Sequence, residues 1–507
     1  GKKTDDQDTT KSSSLSVGRP PFAFEWNNDV PYSYPSLYEE AEEMLQVSML
    51  IYSITDLRTL AKNPKKKRKL KTPEKILDLP LSLPTCLEML EENYDAVKEE
   101  FGDDEHANTM SSLQAIHARY QKHAAGTNNN NNSSSNNNSQ SSLVGTTSYV
   151  GQWFKPFARD DQSIEVQSAI APVLTAFGDE NPDTDMVYAV GVDSVRKRVT
   201  VAFRGSVTPS DFMKDVMITM NLQPNPVRSL DSECSDEKIG IHHGFYEYLL
   251  KSRHGKNKLQ EIVNHVTSLF VEVPERQKDY KVYVTGHSLG GALATLFSLY
   301  VAASIGDQTS KEVIPGPITC ISVASPRVGD RSFQKAFNYL EQNGLLRHLR
   351  IANERDPVTM MPNATGKKIW ATLSPVSYLA FKLKDNQFEE KESFHHTGVK
   401  LKLSKGAKYD FFYMGAPMGI GNGEGEEAQS DTTSSKGSRT AKSSKQTSKK
   451  SSIRRDKIPD VTFHLGKAYT ENMSSVKTAL SDLSLNDLYK TQVASIFEKK
   501  MTSEDED

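Results

Sequence analysis

Gly286-His287-Ser288-Leu289-Gly290 sets a serine between two glycines in G-x-S-x-G spacing. Before it, Tyr280 to Thr285 is short, apolar and β-branched, and reads as a buried strand; after it, Leu289 to Ile305 is Ala/Leu-rich at helical spacing and reads as a helix. A chain that turns from strand to helix so quickly needs glycines where side chains would collide with the turn. It leaves the serine at the exposed apex. The N-terminus of the following helix presents free N–H groups to whatever Ser288 attacks, which favours a developing oxyanion. Ser288 therefore reads as a nucleophile for carbonyl chemistry, against the plainer reading of an ordinary serine in a Gly-rich turn.

A serine hydroxyl needs a base to take its proton and a carboxylate to orient that base. At strand–turn–helix sites of this kind, the acid and then the histidine follow the serine along the chain. Asp356 is the best acid: it directly follows the strand at Arg347–Ala352, and Pro357 fixes a turn beside it. Glu354 is a weaker competitor, and Asp330 fits better as support for a loop or helix start. Beyond Asp356 the histidines are His395, His396 and His464. The first two lie in an alternating, strand-like run and read as structural. His464 precedes a helix-like run, on a loop at the end of the sheet, and is preferred over His396 as the base. The strand Val199–Phe203 runs into Arg204-Gly205-Ser206, so the backbone N–H groups of Ser206 and Leu289 are candidates for a paired oxyanion hole.

These residues need a scaffold. From about Gly151 the chain alternates strands and helices. A helix is expected at Glu165–Phe177, then a hairpin of Met186–Val192 with Arg198–Phe203, and a helix at Leu259–Val271. After the elbow come a strand at Ile318–Ala324, a helix at Arg331–Asn343 and a strand at His348–Ala352. Such alternation predicts an α/β fold with a mostly parallel central sheet covered on both faces, and Ser288 at the carboxyl end of a central strand. Ahead of it, Ser36 and Glu39 are spaced as a capping box. The helix they open shows Leu37, Ala41, Met44, Leu45, Ser48, Ile51 and Thr55 on one face, so it should pack on something. Pro84–Phe101 and Glu105–His123 also read as helical. The organisation expected is a disordered N-terminus (1–30), a helical N-terminal region (31–123) with a basic linker (62–73), an Asn/Ser-rich linker (124–147), a catalytic domain (148–490) interrupted by a low-complexity insert (419–457), and a tail (491–507).

Net charge is −3 over 507 residues, which points away from nucleic-acid binding. Hydrophobic content of 36% fits a globular core diluted by polar segments. Cys86, Cys234 and Cys320 are odd in number and scattered, which disfavours a disulfide framework and mildly favours a reducing compartment. No apolar run of about 18 residues stands out as a membrane span. The chain opens at Gly1, so a trimmed signal or span is left open. Cytoplasmic or peripheral-membrane placement is favoured over secreted or organellar.

Taken together, Phe203-Arg204-Gly205-Ser206 with Asp211 and Asp215, His243-Gly244-Phe245, Thr285–Ala292, Ser325–Asp330, Asp356-Pro357-Val358 and His464 with Tyr469 resemble the class 3 (fungal-type) lipases. The resemblance is closest to the subgroup similar to sn-1-specific diacylglycerol lipases. It covers roughly residues 150–480, in family order. It implies an α/β-hydrolase fold, Ser288, Asp356 and His464 as a catalytic triad, Ser206 in the oxyanion hole, and Val207–Val216 in a lid region. Phe212, Met213, Val216 and Met217 flank that lid and could contact lipid, although Phe212 stands where the family commonly has tryptophan. The function implied is hydrolysis of acylglycerol esters at a membrane or droplet surface, with no metal or organic cofactor. A phospholipase A1 or galactolipase with the same triad is the rival enzyme; a catalytically weak lipase-like membrane or partner scaffold is the rival outside enzymes.

Two features remain. Lys65-Lys66-Lys67-Arg68-Lys69 fits an anionic-lipid patch, a nuclear address or a solvated linker. Asp356 and His464 are 108 residues apart, and the stretch between them contains the Gly/Ser/Thr/Glu/Lys-rich insert, at a position that resembles the regulatory loop of diacylglycerol lipases. Gating of lipid access by this insert is the sharper reading, a tolerated surface insertion the plainer one. Deleting residues 420–455 is then expected to change turnover on lipid micelles; turnover equal to the intact chain's would reject gating.

Overall fold

The computed structural model describes residues 36–101, 171–205, 219–252, 257–306, 313–362, 394–414 and 460–489, apart from 181, 183, 184, 229 and 231–235 within those spans. In chain order the elements that matter are α1 (Leu37–Lys62), β1 (Leu81–Ser82), α2 (Leu83–Glu92), α3 (Tyr94–Phe101), β2 (Val173–Gly178), β3 (Tyr188–Asp193), β4 (Arg198–Phe203), β5 (Met220–Pro224) and β6 (Lys238–His242). They continue with α4 (Lys258–Glu272), β7 (Lys281–His287), α5 (Leu289–Gly306), β8 (Ile318–Val323), α6 (Arg331–Gln342), β9 (Leu346–Asn353), β10 (Val399–Ser404), β11 (Lys408–Tyr413) and α7 (Gly466–Ser475).

Among the described residues one nine-stranded sheet runs β1-β2-β3-β4-β7-β8-β9-β10-β11, with β5 and β6 as a separate hairpin. The centre, β4 to β10, pairs in parallel, and both flanks turn antiparallel. This is the mostly parallel α/β sheet that the alternating sequence pattern predicts. The central strands are apolar on alternate faces because both faces are covered. Val282, Val284, Ile318 and Cys320 point into the layer with α4, α5 and α6. Tyr283, Ile321, Val323, Leu349 and Ile351 point into the layer with α1 and α7.

Two expectations are corrected. The helix at Glu165–Phe177 is, from Val173 on, strand β2, paired antiparallel with β3; residues 165–170 lie outside the described residues. Leu289–Gly306 does meet the length and composition of a membrane span, with a mean hydropathy of 1.6. It is 78% buried as the central core helix, which is why it is apolar on every side. The helix α1, expected from its apolar face to pack on something, packs on the central sheet. Leu37, Tyr38, Ala41, Met44 and Leu45 form one core with β7, β8 and β9, and β1 adds itself to the sheet beside β2. The segments Glu105–His123, 124–147 and 419–457 lie outside the described residues, as does Cys234.

α1 starts where the Ser36 hydroxyl accepts the Glu39 N–H at 3.3 Å. Its inner face is not purely apolar. Glu40 receives the Tyr283 hydroxyl at 2.6 Å and the Arg347 guanidinium at 2.9 Å. Glu43 holds both Arg196 and Arg198 at the β3–β4 hairpin, and Arg58 and Lys62 each reach Asp179 at 2.8 Å. Buried charges of this kind fix register as well as contact, because each carboxylate has one place where its guanidinium waits. Removing the Glu43 carboxylate leaves two buried guanidinium groups short of their shared partner. Glu43→Ala is expected to lose about 3–5 kcal/mol of stability, read from the urea unfolding midpoint.

Candidate active site

β7 ends at His287 and α5 begins at Leu289, so Ser288 alone makes the turn, at φ +58°. That is the left-handed region, which costs a non-glycine residue about 1–3 kcal/mol. The turn is tight enough that glycine is required on either side. A Cβ on Gly286 would lie 2.3 Å from the Gly290 carbonyl oxygen, and one on Gly290 would lie 2.2 Å from that of Phe203. The Ser288 N–H donates to the Val323 carbonyl at 2.9 Å, pinning the elbow to the end of β8. Leu289 opens α5, so its N–H belongs to the first turn, where helical carbonyls are not available as partners.

The Ser288 hydroxyl lies 2.9 Å from His464 Nε2, and His464 Nδ1 lies 2.9 Å from Asp356 Oδ2. A carboxylate only accepts, so Nδ1 carries the proton and Nε2 faces the serine with its lone pair. Asp356 is fully buried, and its charge is answered by three donors. Besides His464 these are the Tyr469 hydroxyl at 2.7 Å and the Val358 N–H at 2.9 Å. The Tyr469 phenol is held far above its ordinary pKa, first by burial and then by the Asp356 charge, so it stays a donor.

Asp356 arrives on the turn after β9. His464 closes a short 3-10 turn, Val461–His464, capped by Asp460, whose side chain accepts the Thr462 N–H at 3.0 Å. Asn353 rivets the two segments together. Its side chain donates to the Phe463 carbonyl at 2.8 Å, and its N–H donates to the Tyr469 hydroxyl at 3.0 Å. His287 lies against His464, Nε2 to carbonyl at 2.9 Å, and on its other side meets the Tyr52 hydroxyl of α1 at 3.2 Å. Burial, then the neighbouring His464, pushes the His287 imidazole down to about 3.

The residues that sequence order singles out are thus linked in series, Ser288 and Asp356 each within hydrogen-bond distance of His464. The weaker candidates are placed elsewhere. Glu354 is exposed and pairs with Lys402 at 2.9 Å. Asp330 caps α6, accepting the Phe333 N–H at 2.8 Å. His396 Nε2 donates to the Thr359 carbonyl at 2.7 Å, and His395 bridges backbone to Gly329. Ser206, Phe212, Met213, Val216 and Met217 lie outside the described residues. Tyr52, His287 and Asn353 are functional neighbours that motif reading passes over. For Tyr52 a signal exists: it continues the Ser48 face of α1 at i+4. Among the described residues no cluster of His, Cys, Asp and Glu is arranged to hold a metal ion.

Residues 200–366 match the family model described as Lipase (class 3). Curated relatives include phospholipase A1-II 3 of Oryza sativa subsp. indica, 31% identical over 195 residues, covering 36% of this chain and 43% of that protein. Another is the chloroplastic galactolipase DONGLE of Arabidopsis thaliana, 28% identical over 220 residues, covering 43% of this chain and 42% of that protein. The chain therefore spans less than half the length of the curated relatives it matches. Among solved structures, a triacylglycerol lipase from Penicillium expansum aligns at 20% identity over 46% of this chain and 70% of its own. Its TM-score of 0.31 is too low to argue from.

Burial around the site has a pH consequence. His287 and His348 are pushed down to about 3 and His395 to about 4, in each case first by burial; His396 lies well below its ordinary value for the same reason. Unfolded, these imidazoles take up protons below 6.5, whereas folded they resist. Their stabilisation is therefore present above 6.5 and lost as pH falls, by up to about 1.4 kcal/mol per pH unit for each proton. Glu341 works oppositely. Burial raises it to about 8 despite hydrogen bonds from Tyr489 and Tyr413, so stability falls as pH rises from 4.5 to 8. Four histidines outweigh one glutamate on the acid side. The urea midpoint is expected to peak near pH 6.5 and drop steeply below it; a midpoint still rising towards pH 5 would contradict this.

Proposed function

We propose that this chain is a serine esterase of the class 3 lipase family that cleaves carboxylic ester bonds of acyl lipids. The observation that carries the reading is the unbroken series from Ser288 to His464 to Asp356, each link 2.9 Å, starting from a serine held in the left-handed turn of the elbow. His464 Nε2 takes the Ser288 proton as the oxygen attacks the ester carbonyl, and Asp356 stabilises the imidazolium. The tetrahedral oxyanion is received by the N–H groups of Leu289 and Ser206. His464 then protonates the departing alcohol, leaving an acyl-Ser288 ester. Water, deprotonated by the same nitrogen, releases the fatty acid and restores the serine.

Acylglycerols are the substrate class we favour, met at a membrane or droplet surface, with Phe212, Met213, Val216 and Met217 contacting lipid. A phospholipase A1 or galactolipase reading is supported by the names of the curated relatives. The triad serves either, because the head-group pocket, not the nucleophile, selects between them. Lys65–Lys69 is the candidate contact for anionic lipid. Lys66 is already paired with Glu100 at 2.5 Å and Lys69 with Glu99 at 2.7 Å, which leaves Lys65, Lys67 and Arg68 exposed as the main attraction.

Ser288→Ala is expected to lose several orders of magnitude of ester turnover while keeping the wild-type unfolding midpoint, and to lose fluorophosphonate labelling. A panel of diacylglycerol, triacylglycerol, phosphatidylcholine and galactolipid then ranks the head groups. Wild-type protein that neither labels nor turns over any of them would favour the scaffold reading.

A further inference from the structure

Tyr52 lies on α1, far upstream of the family-matched residues, yet its hydroxyl reaches the elbow. It accepts the Gly205 N–H at 3.0 Å and lies 3.2 Å from His287 Nδ1. The direction of the second bond follows from chemistry. The His464 carbonyl, 2.9 Å from His287 Nε2, can only accept, so Nε2 carries the proton. The buried ring, with its pKa down at about 3, stays neutral, so Nδ1 holds a lone pair. The Tyr52 oxygen already receives Gly205, and its own proton therefore points at Nδ1. The result is one directed chain, from Gly205 N–H to Tyr52 O–H to His287, and from His287 Nε2–H to the carbonyl of His464.

That chain spans three separate backbones: the end of β4 on its way to Ser206, the elbow residue next to Ser288, and the residue that faces Ser288 as base. Their approach is close. A Cβ on Gly205 would lie 2.3 Å from the Tyr52 oxygen and 2.6 Å from the His287 carbonyl oxygen. We propose that Tyr52 is a positioning residue for ester hydrolysis: through His287 it sets His464 against Ser288, and through Gly205 it holds the end of β4 against the elbow. It touches no reacting atom. The proposal rests on the hydrolase reading above, and it makes α1 a working part of the site rather than a cover for the sheet.

The test uses the full chain and a soluble p-nitrophenyl butyrate substrate, so that no lipid surface is needed. Tyr52→Phe keeps the ring and removes only the hydroxyl. We expect kcat to fall about ten- to a hundredfold, with KM within about twofold, since a loosened catalytic geometry slows the chemical step without altering substrate contacts. The unfolding temperature should move by less than about 4 °C, as for one hydrogen bond. A kcat equal to wild type, or one lost only in proportion to unfolded protein, overturns the proposal. His287 gives a second arm. His287→Gln keeps an amide donor for the His464 carbonyl and should retain more kcat than His287→Leu; equal kcat in the two also overturns it. Wild-type protein without turnover on any ester would overturn the hydrolase reading and this inference together. Active wild-type protein with an unaffected Tyr52→Phe overturns this inference alone.

Discussion

Ser288 is held in a backbone conformation that its own side chain disfavours, and the surrounding structure is arranged so that no other conformation fits. Gly286 and Gly290 leave room for carbonyl oxygens where side chains would otherwise be, and the end of β4 presses against the first turn of α5. A strained residue persists only where its neighbours over-determine it. Here the determinants come from β8, through Val323, and from β4, through Phe203. The turn sets the hydroxyl where His464, on another loop, reaches it at 2.9 Å.

His464 is held from behind as firmly as the serine. Asp356 is a buried anion with three donors, one of them the imidazole, so its charge is satisfied without water. Tyr469 ties the same carboxylate to α7, and Asn353 ties β9 to the segment before His464. On that same face of the sheet, α1 is seated by Glu40 and Glu43 against arginines of the sheet. Charge pairs at both the site and the helix restrict sliding, whereas an apolar contact alone would tolerate it.

The sequence made the centre of the molecule legible and left its joints hidden. Strands β7, β8 and β9 and the helices between them could be placed because length, apolar run and turn residues all agreed. Ser288, Asp356 and His464 could be singled out because each lies beside a readable element, in an order that few alternatives satisfy. The error at Val173–Phe177 has a physical cause. The strand is irregular between Leu174 and Ala176, which spoils the two-residue alternation, and Val173 with Phe177 happens to mimic helical spacing. The partners of Tyr52 and Asn353 were illegible for another reason. Their bonds to Gly205 and Phe463 cross 153 and 110 residues of chain, and no local pattern encodes a partner at that distance. The periodicity of α1 announced a buried face without saying what would cover it.

The hydrogen bonds where the chain leaves the sheet and rejoins the site form a socket. Met414 gives its N–H to Gly398 at 2.9 Å, and Asp460 gives its N–H to Arg355 at 3.0 Å, one residue before Asp356. Closing a longer loop between fixed ends costs only about 0.6 kcal/mol per doubling of its length. The length of chain between those two anchors therefore weighs little on the stability of the serine and its histidine, and an effect of that segment on turnover would come from its chemistry rather than its length. A protein engineer can therefore graft a sensor or a tether between the anchors at little cost in closure entropy, so that a change in turnover reports the graft itself.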